Sequence, residues 1–361
     1  MFKKALVSAA VLGAFATAAL ATPQVSVFGV IDTGISYMSY NLDDGNGRIS
    51  KTQMASGINA GSRWGFKGKE DLGNGYGVGF VLEGGFDSDS GEMKSGGLWS
   101  RESTLSVYTP FGQFVAGRMC QIRGGKDTTA SMFKGNVTPF ATAWSDHMNG
   151  TGFVTSDANK TINNAFLYKS PKFSGWQVIA QYSLANTDEG ETADTDDRYM
   201  ALAAVYKNEN LYLQLMVDST NLSQETDTQY DDPLAISFAA NYDFKFVKLY
   251  GIAQYFKDSP LKKAGAIKAP KGVYDGYGLI LAASKPFLGG ELLGELGYLS
   301  AEDATTGSSN ADVDRYSVTL GWEYYFNKRT RVYTGFGYEK QKQGEKKPDA
   351  YEVAVGMIYK F

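Results

Sequence analysis

The residue types that most often carry chemistry are scarce in this chain. Its 361 residues include one cysteine, Cys120, and one histidine, His147. One of each cannot assemble a Cys/His zinc site, and a lone cysteine cannot close an intrachain disulfide. A Ser/His/Asp triad would have to use His147, which stands in the turn-like run WSDHMNG at 144–150. Nothing around it resembles a nucleophile turn of the Gly-x-Ser-x-Gly kind, so His147 is expected to be a solvated loop residue. Hydrolytic and metal chemistry therefore lack their residues, and no cofactor is expected. What remains is charge: 35 Lys and Arg against 39 Asp and Glu, a formal net charge of −4. Nothing in that balance suggests nucleic acid.

The elements that would hold such charges begin after a distinct leader. Lys3 and Lys4 precede an uncharged run from Ala5 to Leu20 that ends in Ala19-Leu20-Ala21. This is the pattern of a secretory signal peptide, expected over residues 1–21, rather than of a membrane anchor helix. Its removal leaves 33 basic and 39 acidic residues, a charge near −6. No other stretch is long and apolar enough to cross a bilayer as a helix. Glycine is abundant (42) and proline rare (9), which excludes proline-rich disorder.

Period-two alternation recurs from Val25 to the last residue. Tyr316, Val318, Leu320, Trp322, Tyr324 and Phe326 alternate with Ser317, Thr319, Gly321, Glu323, Tyr325 and Asn327. Leu211/Leu213/Leu215/Val217, Leu234/Ile236/Phe238/Ala240/Tyr242 and Trp176/Val178/Ala180/Tyr182/Leu184 repeat the pattern. Sixteen strands follow, near 25–40, 54–69, 76–86, 99–109, 112–119, 161–170, 174–186, 196–207, 210–219, 232–243, 246–257, 273–285, 289–300, 312–326, 329–341 and 349–361. A soluble sandwich also alternates, and the connections separate the two. They run strictly long, short, long, short, from a long one at 41–53 and a tight one at 70–75 to a very long one at 120–160. That regularity is expected of an antiparallel up-and-down barrel with one smooth rim, one elaborated rim and both termini at the smooth one. Strands of about 10 to 15 residues suit a tilted crossing of a ~25 Å apolar band. Sixteen of them leave a lumen too wide for side chains to fill, hence a water-filled channel. Tyr37, Tyr40, Tyr182, Phe326, Tyr338 and Tyr359 fall at strand ends, where amphipathic rings suit lipid headgroups.

Residues 25–34 (VSVFGVIDTG), 62–73 (SRWGFKGKEDLG), 80–86 (FVLEGGF), 111–118 (FGQFVAGR) and 168–175 (YKSPKFSG) resemble the general trimeric porins of the Gram-negative outer membrane, in the branch common in beta-proteobacteria. The terminal Tyr351, Val353, Val355, Met357, Tyr359 and Phe361 resemble the family's outer-membrane assembly signal. The resemblance implies an all-β fold, a 16-stranded transmembrane barrel over 22–361, whose long third loop at 120–160 folds inward and constricts the pore. It further implies a homotrimer in outer-membrane lipid, recognition of the segment ending in Phe361 by the barrel assembly machinery, and passive diffusion of small hydrophilic solutes. Phe133, Phe140, Trp144 and Phe153 are candidates to anchor the loop to the inner wall.

With Trp64 and Phe66 facing lipid, alternation turns Arg63, Gly65, Lys67 and Lys69 toward the lumen, and Val78, Phe80 and Leu82 do the same for Glu83. A charge facing hydrocarbon at midplane costs roughly 2 to 4 kcal/mol, which favours lumen placement. By the resemblance, Arg63 and Arg101 occupy the positions of constriction arginines and Lys169 that of a third cation; Lys67 and Glu83 join them by parity. The family's usual carboxylates on the inward loop are missing. Thr138-Pro139-Phe140-Ala141-Thr142 carries none, and Asp146 is the nearest acid. Arg123, Lys126, Lys134 and Lys160 face only Asp127, Asp146 and Asp157 in this loop. A more positive pore than in cation-preferring relatives is expected, with the chain's negative charge lodged in external loops such as 188–197. Rival readings are a substrate-specific porin, an outer-membrane barrel enzyme that would need His147 as base, and a secreted β adhesin.

Overall fold

The computed structural model describes residues 24–124, 128–132, 135–140, 144, 146–157, 161–184, 197–222 and 231–361. The leader expected at 1–21, Lys126, Asp127, Phe133, Lys134, Lys160 and the acidic run 188–196 lie outside them. Seventeen strand segments run in order: β1 (Gln24–Asn41), β2 (Arg48–Ser56), β3 (Arg63–Gly73), β4 (Tyr76–Gly85), β5 (Glu102–Thr109), β6 (Gly112–Cys120), β7 (Thr161–Lys169), β8 (Trp176–Ser183), β9 (Arg198–Lys207), β10 (Leu211–Asn221), β11 (Leu234–Asp243), β12 (Lys248–Ser259), β13 (Tyr274–Phe287), β14 (Gly290–Asp303), β15 (Val313–Tyr325), β16 (Thr330–Gln343) and β17 (Asp349–Lys360). Consecutive segments pair antiparallel except β2 and β3, which both pair with β1, and β1 pairs with β17 from Val30↔Lys360 to Asn41↔Asp349, which closes the sheet. Phe361 completes the seam, exchanging backbone bonds with Gly29 at 3.1 and 3.2 Å. A closed sheet leaves no unpaired edge, the condition for crossing hydrocarbon with strands.

The expected strand at 54–69 is divided. β2 pairs with the second half of β1 and β3 with its first half, so the two segments are one broken stave and the barrel has sixteen. Asp32 explains the break. Its carboxylate, buried on the inner face of β1, accepts the backbone N–H groups of Asn59 at 2.7 Å and Ala60 at 2.6 Å, and the hydroxyl of Tyr333 at 2.6 Å. A buried carboxylate needs several donors, and drawing them from residues 57–62 pulls that backbone out of the ladder. The long connection expected at 41–53 is correspondingly shorter, residues 42–47, because β2 starts early.

The outer face carries the apolar set. Leu105, Phe114, Phe166, Leu202, Leu215, Phe238, Leu281, Leu296, Leu320 and Val355 are all exposed, Leu281 at 69%. Such a continuous apolar belt is intolerable in water and natural in lipid. Aromatic pairs line its turn-side edge, among them Trp176–Tyr206, Trp322–Tyr324 and Tyr359–Phe361, while Tyr277–Tyr298–Tyr316 mark the loop side. Tyr316 and Tyr324 lie eight residues apart on β15, about 27 Å along a strand and about 20 Å along the axis of a tilted barrel, which is close to the thickness of the apolar band.

Candidate functional site

Polar side chains gather on the inner face in two groups. The first sits on β3, β4 and the residues entering β5. The register Gly65↔Glu83 and Arg63↔Gly85 puts Arg63 and Glu83 on the same face, as alternation required. Arg101 is tied to the same place by its backbone N–H, which donates to Glu83 O at 3.1 Å. The Arg101 Nε donates to Glu83 Oε1 at 2.5 Å, and the Arg63 Nε lies 3.4 Å from Glu83 Oε2. All three side chains are nearly buried, and together they carry two positive charges and one negative. A charge-assisted bond holds the Arg101 guanidinium, and the ion pair with Glu83 together with a bond to Gly61 O at 2.9 Å holds that of Arg63.

The remaining candidates lie elsewhere. Lys67 is exposed two residues beyond Gly65, with its Nζ 5.0 Å over the Phe28 ring. Lys169 is half-buried on β7, its Nζ donating to Thr129 O at 2.6 Å, a contact between the barrel wall and the 121–160 connection. Asp146 is exposed and opens a short 3-10 turn, Asp146–Met148, with a φ of +47°.

The second group was not foreseen. Register aligns Glu295 with Thr319, Thr319 with Gly337, and Gly337 with Glu352, so one row crosses β14 to β17 on the inner face. The 121–160 connection docks on this row. Thr138 and Thr151 donate hydroxyls to Glu295, the latter at 3.0 and 3.1 Å, and His147 N donates to Glu352 Oε2 at 3.1 Å. His147 Nδ1 faces Glu339 Oε2 at 2.8 Å. Gly337 has no room for a β-carbon, which would strike the His147 carbonyl. Trp144 occupies the space over Gly335 and packs edge-on against Tyr333 with ring centroids 5.5 Å apart. Phe140, Trp144 and Phe153 are buried.

His147 therefore departs from expectation: it is wholly buried, not solvated, because three strand carboxylates give this loop polar partners inside the barrel. Arg315 was also missed, and Arg123, expected as one of the loop's cations set only against loop acids, is paired with the barrel wall. Arg315 is fully buried on β15, donating to Gln341 Oε1 at 2.9 Å and to Phe153 O at 3.0 Å with its guanidinium over the Phe153 ring. Arg123 pairs with Asp218 at 2.8 Å and donates to Ser156 O at 2.9 Å. Parity alone would have found Arg315, which alternates with Tyr316 and Val318 alongside Ser317 and Thr319.

The chain that folds into this closed sixteen-stave sheet, apolar outside and polar inside, matches the family model of the Gram-negative porins over residues 8–344. The chain belongs to the Gram-negative porin family. The porin is 28% identical to an outer membrane porin protein of Bordetella pertussis, over 99% of this chain and 100% of the relative. It is 30% identical to outer membrane porin protein 32 of Delftia acidovorans, over 94% of this chain and 90% of the relative. An anion-selective porin from Comamonas acidovorans has the same fold, with a TM-score of 0.69 at 24% identity over 94% of this chain and 100% of that one. The porin is thus an outer-membrane passive channel and not an enzyme.

Proposed function

We propose that the porin is a homotrimeric general diffusion channel whose narrowest part lies between the docked 120–160 loop and the Arg63–Glu83–Arg101 cluster, and that this narrowing favours small anions. The observation that carries the reading is the unequal treatment of charge on the inner face. Glu295, Glu339 and Glu352 are buried, and each is engaged by the docked loop. On β3 and β4 Glu83 serves two guanidinium groups, while Glu102, opposite it in register on β5, is buried and bound by Thr129 N and the Thr104 hydroxyl, so the Arg63–Glu83–Arg101 cluster itself keeps a net positive charge. Lys67 and Lys169 add cations along the path, and among the loop's described residues Asp146 is an exposed acid. Solute selection then rests on size and on this field, in a channel that ions must both enter and leave.

Trimerisation buries part of the apolar belt, as the family resemblance implies. Residues 1–21 serve as the export signal, and the segment ending in Phe361 is the contact for the barrel assembly machinery. The reading is tested by the zero-current potential of the purified porin in a planar bilayer under a potassium chloride gradient. A potential of the sign set by chloride supports it, and one set by potassium sinks the anion preference. A specific transporter would instead show block by one solute class at the narrowing.

A further inference from the structure

The connection between β12 and β13, residues 260–273, places Lys262, Lys263, Lys268 and Lys271 among Leu261, Ala264 and Ile267. The three apolar side chains, spaced by three, are buried in the same cluster as Phe153 and Val154. Backbone contacts fix the connection to the docked loop. Asp157 N donates to Pro260 O at 2.9 Å, and Ser156 bridges to Leu261. Ala264 and Ile267 exchange bonds of 2.8 and 3.0 Å, which closes a tight turn. At its tip Ala266 N donates to His147 Nε2 at 3.3 Å, and Gly265, with a φ of +47°, lies so close to the His147 ring that a β-carbon would not fit. A second connection is thus clamped onto the first, and its lysines spring from a fixed backbone rather than a free loop.

Lys262, Lys263 and Lys268 line a cavity of about 390 Å³ at the long-loop mouth, together with Leu261, Ala269 and Asp157. Lys268 also borders an adjoining cavity with Asp44 and Lys346. Among the described residues no ion pair engages Lys262, Lys263 or Lys268. Among the described lining residues three ammonium groups meet one carboxylate, in a space large enough for a small organic solute.

We propose that this cavity is an entry site for small, multiply charged anions, di- and tricarboxylates or phosphate esters, collected at the mouth before they pass the Arg63–Arg101 cluster. This deepens the reading of an anion-preferring pore and rests on it. Chloride meets each lysine singly, whereas a tricarboxylate meets three at once. The site therefore discriminates by valence. Because the ammonium groups remain hydrated, the hold is weak enough for release.

Citrate is the probe. Chloride current through the whole porin in a bilayer of zwitterionic lipid is measured while citrate is added to either side. Block is expected at lower concentration from the loop side, and K262Q/K263Q/K268Q should raise the loop-side half-blocking concentration roughly tenfold, the lower end of what focused charge achieves. Block from the turn side should be unchanged, as should chloride conductance in molar salt, where a Debye length of about 3 Å screens the mouth, and K262R/K263R/K268R should be blocked as the native chain is. An unchanged loop-side value in the glutamine variant, with normal conductance showing the barrel intact, overturns the site. A lysine-dependent change seen only when anionic phospholipid is present overturns it in favour of lipid phosphate. Lysine-dependent citrate block with a potassium-sided zero-current potential keeps the site and removes the general anion preference.

Discussion

Charge at the Arg63–Glu83–Arg101 cluster can be stepped without changing its neighbours. The native cluster carries one net positive charge; E83Q raises this to two, R101Q removes it, and R63E/R101E makes it three negative. Glu83 sits 2.5 Å from one guanidinium and 3.4 Å from the other, so each substitution acts on the same small volume. An ion passing about 6 Å away at an effective dielectric near 40 feels about 1.4 kcal/mol per unit charge, about a tenfold change in local concentration per step before screening. In a tenfold salt gradient the zero-current potential is bounded at about 59 mV for perfect selectivity. The series should march across that range, most anion-sided in E83Q, then native, then R101Q, and cation-sided in R63E/R101E. The spread should shrink in molar salt, where the Debye length is about 3 Å, and widen in 10 mM salt, where it is about 30 Å. Four equal potentials in dilute salt would mean that ions do not pass this cluster, and the placement of Arg63 and Arg101 at the narrowing would have to be withdrawn.

Gly337→Val drives a side chain into the His147 carbonyl; overpacking of this kind strains a structure by about 1 to 3 kcal/mol, so the docked loop should shift and single-channel conductance change, whereas an unchanged conductance would show that the loop does not shape the path. Deleting Phe361 removes two seam hydrogen bonds and one ring, small beside a closed sheet, so the inserted amount should fall while the conductance of inserted channels stays native; equal surface levels would refute the assembly role. On an unheated gel the detergent-extracted porin should run as an oligomer that collapses on boiling, and identical mobility before and after heating would refute the trimer.

Strand placement was legible because lipid outside and water inside impose period two on every stave, as in Tyr316 to Phe326. The break between β2 and β3 was not, since Met54, Ser56, Ile58 and Ala60 continue a plausible alternation and only the buried Asp32 across the pair interrupts it. Glu83 was readable by parity as facing inward, yet its sharing between Arg63 and Arg101 depends on Arg101 folding back from outside the strand. His147 was misread for a related reason. Local polarity at 144–150 predicts water, whereas its partners Glu339 and Glu352 lie far along the chain, and register alone brings them into one place. Arg315 obeys the parity rule, but Ser317 and Thr319 beside it carry no charge that would mark this stretch of β15 as a site.

The central claim, a water-filled passive channel through this barrel, is tested most directly by single-channel recording of the purified porin in a neutral planar bilayer. Current should appear in discrete steps, rise linearly with voltage, and scale in concentrated salt with the conductivity of the bath. Absence of ion current from protein that has inserted, or a conductance that saturates as salt is raised, would contradict it.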